Sequence, residues 1–247
     1  MWIDTLLEKN LLPDFLIRNG IRRLLRKRLK EETKKYANPD YYKNLVASFK
    51  DAPIAVHTAE ANSQHYEVPT EFYQLCLGPH QKYSRCYFKE GVTELGDAER
   101  EMLSLTCARA ELKNGQDVLE LGCGWGSLSL FMAAKFPQSR FTVVSNSKTQ
   151  KYYIDEQARR IGILNLEVIT SDINVFDTAK RFERVVSVEM FEHMRNHEQL
   201  LQRISRWLKP AGKLFVHIFV HKTFTYLFET KDQNDWMGRY FFTGGMM

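Results

Sequence analysis

From residue 117 onward the chain alternates short β-branched runs with amphipathic stretches, and this alternation limits its fold more than any other feature. The runs are 117–121 (DVLEL), 140–145 (RFTVVS), 166–170 (LEVIT), 182–188 (FERVVSV) and 213–220 (KLFVHIFV). Helical stretches at 127–136, 148–161 and 196–208 lie between most of them. Strand and helix alternating at this spacing build βαβ units, so the expected fold is α/β: a doubly wound, Rossmann-like parallel sheet with helices on both faces. Such sheets bind ligands beyond the carboxyl ends of their strands, near the switch point, so the residues just after each run are the candidate functional positions. Before residue 115 the pattern is helical and irregular. It is punctuated by Pro39, Pro53, Pro69 and Pro79 and carries an aromatic cluster at Tyr66, Phe72, Tyr73, Tyr83, Tyr87 and Phe88. Two regions are expected: a helical cover for cofactor and substrate at 1–115, and the sheet domain at 116–247.

With 247 residues, 44% of them hydrophobic and 26% charged, the chain can bury a sizeable core and lacks the bias of disordered or fibrous sequences. Its cysteines, Cys76, Cys86, Cys107 and Cys123, form no CxxC pair, which points to reduced thiols, no metal site and a cytoplasmic setting. The first residues, MWIDTLLEKN, lack the basic start of a signal peptide, and no apolar stretch approaches membrane-spanning length. The net charge of +5 is local, because residues 18–35 carry nine basic side chains against two acidic ones while residues 36–247 are neutral. No nucleic-acid surface is therefore expected. The basic segment sets Leu16, Ile17, Ile21, Leu24, Leu25 and Leu29 at helical spacing, with Arg22, Arg23, Arg26, Lys27, Arg28 and Lys30 mostly opposite. Weak contact with an anionic membrane surface is one reading; a helix packing its leucine face on the domain is the favoured one.

The first strand runs into Glu120, Leu121 and a glycine loop at 122–126 (GCGWG) that opens directly into a helix. A dinucleotide site would have a glycine where Ser127 stands and a carboxylate closing the second strand, where Ser145, Asn146 and Ser147 stand. An acid ahead of the loop suits an ammonium and a sulfonium and would repel a pyrophosphate, which points to S-adenosylmethionine and away from NAD.

Residues 208–214 (LKPAGKL) resemble the turn before the fifth strand of class I S-adenosylmethionine-dependent methyltransferases. The segments 65–72 (HYEVPTEF), 83–88 (YSRCYF), 122–126 (GCGWG), 145–150 (SNSKTQ), 189–194 (EMFEHM) and 239–245 (RYFFTGG) together resemble the cyclopropane fatty acid synthase superfamily, most closely its coclaurine N-methyltransferase-like branch. The resemblance covers nearly the whole chain. It implies that Tyr83 and Ser84 hold the methionine end of the cofactor while Gly122 and Gly124 let the backbone pass it. It further implies that Ser145, Asn146 and Gln150 form a polar ribose-binding turn and that Asp172 and Ile173 flank the adenine.

The fourth strand ends in Glu189, Met190, Phe191, Glu192 and His193, which puts two carboxylates and an imidazole beside the expected methyl donor. Methyl transfer to an amine needs the nitrogen lone pair free, so Glu192 and His193 are the candidate base and Glu189 the substrate anchor. A structural role for Glu192 or His193, such as capping the next helix, is the alternative. The resemblance also implies a rival reaction, methylene transfer to a lipid double bond, with bicarbonate held by a cysteine after the Tyr-Ser pair, by the FEH glutamate, by a histidine on the fifth strand and by a later tyrosine. Glu192 and His217 match, but Arg85 follows Ser84 and Cys86 comes one position late. The expected activity is N-methylation of a small amine, with lipid modification second and a catalytically silent cofactor-binding chain third. That third reading rests on the carboxyl terminus, where 27 residues follow Val220, too few for the usual closing hairpin. The expected consequence is a sheet without its last strands, with 214–220 at an uncovered, aggregation-prone edge and with low stability and activity.

Overall fold

In the computed structural model, which describes residues 2–60, 69–230 and 235–247, the five runs make one parallel sheet. Its strands are β1 (Asp117–Leu121), β2 (Arg140–Ser145), β3 (Leu166–Thr170), β4 (Phe182–Val188) and β5 (Leu208–His217), in the order β3-β2-β1-β4-β5. The helices are α1 (Trp2–Glu8), α2 (Asp14–Tyr36), α3 (Tyr41–Lys50), α4 (Thr70–Cys76), α5 (Leu95–Arg109), α6 (Ser127–Lys135), α7 (Lys148–Arg160), α8 (His197–Trp207) and the short α9 (Trp236–Tyr240). Residues 65–68 of the HYEVPTEF motif, including Tyr66, lie outside the described residues.

The period of two along each strand divides the core. Val118 joins Val143, Val168 and Val186 on one face, where Leu103 and Cys107 of α5, Leu128 and Met132 of α6 and Ile154 of α7 cover them. Leu119 and Leu121 join Val144 and Val185 on the other face, under Leu200, Ile204 and Trp207 of α8. A sheet buried on both sides in this way explains why its strands read as near-continuous apolar runs. Helix α5, although it lies before residue 115, shares the core of the sheet. Both α7 and α8 start where capping chemistry allows: Ser147 accepts from the Gln150 amide and Asn196 from the Gln199 amide.

Three expectations need correction. The fifth strand spans Leu208–His217, starting earlier and ending earlier than 213–220. The LKPAG segment does not turn away; Leu208 pairs with Phe182, and the irregularity is absorbed as a register shift between Phe182 and Arg184. Ala211 takes a left-handed φ of 62° there, and Gly212 is packed so tightly that a Cβ would sit 2.9 Å from the carbonyl oxygens of Phe182 and Lys209. Second, the leucine face of α2 does not pack on the domain. Leu16, Ile21, Leu24, Leu25 and Leu29 are exposed, because a helix of 23 residues, about 35 Å long, meets the body only through its last turns. There Glu32 is buried against Arg28 and Lys35. The Tyr36 hydroxyl donates to the Thr225 carbonyl and accepts from the Thr225 amide, at 3.0 and 2.8 Å. Third, β5 is a sheet edge among the described residues, yet Leu214 and Val216 pack on one core cluster and Phe215 on the other, so only the end of 214–220 is open, with Val220 67% exposed. No helix among the described residues is long and apolar enough to cross a membrane.

Candidate active site

The chain order runs from β1 outward to β3 and then returns to place β4 on the other side of β1, so the carboxyl ends of β1 and β4 part at the switch point. A cavity of about 430 Å³ opens there. Tyr83, Ser84, Glu120, Gly122, Gly124, Ser145, Asn146, Gln150, Asp172 and Ile173 all line it.

The glycine loop turns sharply because the amides of Gly122 and Cys123 both donate to the Val144 carbonyl, at 3.0 Å each. Gly122, Gly124 and Gly126 all take positive φ, which side chains resist. Their surroundings differ. A Cβ on Gly126 would lie 2.6 Å from Ile154, whereas one on Gly124 would enter open space, so the loop leaves room where a ligand must approach the backbone. Ahead of it, Glu120 is 3% exposed and accepts a hydrogen bond from the Ser129 hydroxyl of α6 at 2.5 Å. Burial pushes its carboxyl up to about 7, against the pull of Ser129 and the Lys82 charge.

The turn after β2 is cross-linked from within. Ser145 donates to Gln150 Oε1 at 2.6 Å and accepts from the Ser147 amide at 3.0 Å, which leaves the buried Nε2 of Gln150 without a protein partner among the described residues. Asn146 donates to the Thr58 carbonyl, and Asp172 accepts from the Thr58 hydroxyl at 2.6 Å and from the Asn174 amide at 2.7 Å. Thr58, absent from the sequence reading, thus ties the irregular amino-terminal region to the ends of β2 and β3 across 114 residues of chain, a contact that periodicity cannot announce.

On the β4 side, Glu189 is held at φ 52°, and its amide donates to the His217 carbonyl at 2.7 Å. Glu189 and His193 line the cavity; Glu192 and His217 are not among its lining residues, although both feel the Glu189 charge. Glu192 accepts from the Phe219 amide on Oε1 at 2.9 Å, while its buried Oε2 and the buried Oε1 of Glu189 have no hydrogen-bond partner among the described residues. Burial pushes the Glu192 carboxyl up to about 7; the two backbone amides lower it and the nearby Glu189 charge raises it. His193 stacks on Phe242 with centroids 4.6 Å apart. Neither Glu192 nor His193 caps α8, since Asn196 does so. Burial lowers the pKa of His217, and burial raises the thiol of Cys86. Lys82, Phe219 and Phe242 also line the cavity. The sequence reading gave them no role, although Lys82 directly precedes the Tyr-Ser pair and Phe242 falls in the RYFFTGG segment.

This sheet order, with a glycine loop at the switch point, an acid ahead of it and a polar turn beside it, defines a class I S-adenosylmethionine-dependent methyltransferase. More narrowly, the chain belongs to the mycolic acid cyclopropane synthetase family, whose model matches residues 55–247. It is 41% identical over 243 residues to (S)-coclaurine N-methyltransferase of Thalictrum flavum subsp. glaucum, covering 98% of this chain and 67% of that protein. Over 186 residues it is 30% identical to cyclopropane-fatty-acyl-phospholipid synthase of Escherichia coli (strain K12), covering 74% of this chain and 46% of that one. The crystal structure of a coclaurine N-methyltransferase bound to N-methylheliamine and SAH superposes with a TM-score of 0.90 at 40% identity, covering 98% of this chain and 71% of the other. The cyclopropane synthase MmaA2 from Mycobacterium tuberculosis shares the fold, with a TM-score of 0.63 at 21% identity over 77% of this chain and 70% of its own.

Proposed function

We propose that the chain moves a methyl group from S-adenosylmethionine to the nitrogen of a small amine. The observation that carries this reading is the pair of buried carboxylate oxygens without hydrogen-bond partners after β4, Glu189 Oε1 and Glu192 Oε2, together with His193 and the aromatic wall of Phe219, Phe241 and Phe242 in the cavity lining.

The residues present fit the cofactor. The open space over Gly124 admits it, and the buried Gln150 Nε2 and Ser127 Oγ in the cavity wall have hydrogen-bonding capacity to give. Tyr83, Ser84 and Glu120 suit the amino-acid end, Ser145, Asn146 and Gln150 the ribose, and Asp172 and Ile173 the adenine. Bound S-adenosylmethionine supplies an electrophilic methyl on a sulfonium sulfur. Glu189 holds the acceptor ammonium by charge. Glu192 and His193 act as the base, and the amine lone pair is freed when His193 takes the proton. The aromatic wall excludes water and stacks on the acceptor ring. In the lipid reading, Glu192 and His217 would share a bicarbonate with a cysteine. Arg85 occupies that cysteine's position, which favours the amine.

The exposed leucines and basic side chains of α2 fit a weak contact with an anionic membrane surface, and the four free cysteines fit a cytoplasmic setting.

The test is incubation with methyl-labelled cofactor and separate panels of cyclic amines and unsaturated phospholipids. We expect label in an N-methylated amine, and a fall in turnover of about 10²- to 10⁴-fold in Glu192→Gln at little cost in cofactor affinity. Label in phospholipid alone, or in nothing, overturns the reading.

A further inference from the structure

The amino-acid end of S-adenosylmethionine carries two opposite charges, an ammonium and a carboxylate. The acids of the site can serve the first; the second needs a cation or strong donors. Among the described residues that line the cavity, Lys82 is the one lysine or arginine. It is 6% exposed, although a lysine is seldom buried without an ionic partner. Its ammonium has three N–H donors, and one of them goes to the Ser84 hydroxyl.

No protein carboxylate closes an ion pair with it among the described residues. Glu99, its neighbour, turns its oxygens to the backbone amides of His80 and Lys82, at 2.9 and 3.1 Å. Glu120 takes the Ser129 hydroxyl. Glu189 lies close enough to act on Lys82 by charge, but its Oε1 has no hydrogen-bond partner. Lys82 is thus fixed by its own backbone and by Ser84, at the wall of the cavity, with donors to give. Burial lowers its pKa while the surrounding acids raise it, so the ammonium is held in the site by charge without being neutralised by contact.

Resting on the cofactor assignment above, we infer that Lys82, oriented by Ser84, binds the α-carboxylate of the methionine portion of the cofactor, opposite the Glu120 carboxyl that faces its ammonium. The cavity is then polarised along the cofactor: a cation and an acid for the zwitterion at the β1 end, and acids for the cationic acceptor at the β4 end. The same charge keeps the acceptor ammonium away from the cofactor's amino-acid pocket by repulsion, which separates the two sites.

The test compares two probes by calorimetry: S-adenosylhomocysteine, which carries the carboxylate, and 5′-methylthioadenosine, which keeps the nucleoside and the sulfur but lacks the amino-acid end. In Lys82→Met, binding of S-adenosylhomocysteine is expected to weaken about 10- to 100-fold, the range for a hydrogen bond to a charged group. Binding of 5′-methylthioadenosine is expected to stay within about twofold of the parent chain. Lys82→Gln, which keeps a donor to Ser84 without the charge, gives the same pattern and serves should Lys82→Met fail to fold. Lys82→Arg is expected to recover part of the lost affinity. Equal loss for both probes would make Lys82 a purely structural group and overturn the inference. So would unchanged binding of both probes with a raised KM for the amine, which would put Lys82 on the acceptor. A parent chain that binds 5′-methylthioadenosine but gains nothing from the carboxylate overturns it as well. Failure of the parent chain to bind either probe would instead overturn the cofactor assignment on which it rests.

Discussion

Glu120 and Glu192 are both carried toward neutral pKa by burial, and the expected consequences differ because Glu120 lines the cavity ahead of the glycine loop while Glu192 stands just after β4, outside that lining. For Glu120 the folded chain favours the neutral acid, so its contribution to stability is full below its ordinary value of 4.5 and is lost as pH rises through about 7. Ionising it in the folded chain costs about 3 kcal/mol at high pH. Glu120→Gln removes that cost while keeping an acceptor for Ser129. Without ligand, it is expected to melt above the parent chain at pH 8.5, with the gap closing near pH 5. The gap is read by thermal unfolding at the two pH values, and an equal gap at both would show that Glu120 is not strained by its charge. Glu192 must be ionised to support proton removal. Hence kcat/KM on an amine is expected to climb as pH rises through about 7, and the residual activity of Glu192→Gln to lack that limb. A rate profile of identical shape in both chains would remove Glu192 from the titration. Both residues could be singled out by position in the sequence, Glu120 just ahead of the glycine loop and Glu192 just after β4, whereas the burial that sets their pKa values could not, because for Glu192 it depends on Phe219 and on the carboxyl-terminal segment folding back.

At the level of elements, the glycine loop separates folding from binding within three residues. Gly126→Ala places a methyl 2.6 Å from Ile154 at a left-handed φ, and is expected to cost about 2 kcal/mol or more in denaturant unfolding. Gly124→Ala meets only open space. Its cost in stability should stay near about 1 kcal/mol, while calorimetry should show a marked loss of S-adenosylhomocysteine affinity. The reverse ranking would mean that the cofactor does not pass over Gly124. Helix α2 shows a different separation. Its amphipathic pattern was plain in the sequence, but a pattern states which face is apolar and not what covers it. Its last turns reach the body, where Arg28 pairs with Asp235 and lies over the Tyr226 ring and Tyr36 bonds Thr225. Leu24→Ser with Leu25→Ser should therefore change unfolding by no more than about 0.5 kcal/mol, and Tyr36→Phe should cost about 1 to 2 kcal/mol through its two bonds to Thr225.

In the whole molecule, strands and helices of the sheet were readable because each obeys a local period; four of the five strands begin and end where the alternation put them. The exception, β5, was misread at both ends because its start is held by the Phe182 partner across the sheet and its end by the His217 carbonyl, neither of which is local. The same holds for the site. Its glycines and acids lie at strand ends and could be found by position, while Thr58 and Phe242 arrive from segments far away in the chain. The carboxyl-terminal segment closes on the β4 side: Phe242 stacks on His193, the Met246 amide donates to the Glu192 carbonyl at 2.8 Å, and Arg195 reaches the Gly244 carbonyl. The cavity is therefore walled by segments as far apart in the chain as Thr58, Tyr83, Gly124, Asn146, Asp172 and Phe242. A ligand that touches them all binds only the folded chain, so its binding free energy adds to the stability of the whole. At 100 times its Kd, S-adenosylhomocysteine adds about 2.7 kcal/mol, which for a chain of this size raises Tm by about 5 to 10 °C. NAD at the same concentration should leave Tm unmoved, since Ser127 stands where its third glycine would be and Glu120 would face its pyrophosphate. Calorimetric or fluorescence melting with each ligand decides it. A shift with NAD that matches or exceeds the one with S-adenosylhomocysteine would mean that the cavity at the switch point recognises a dinucleotide.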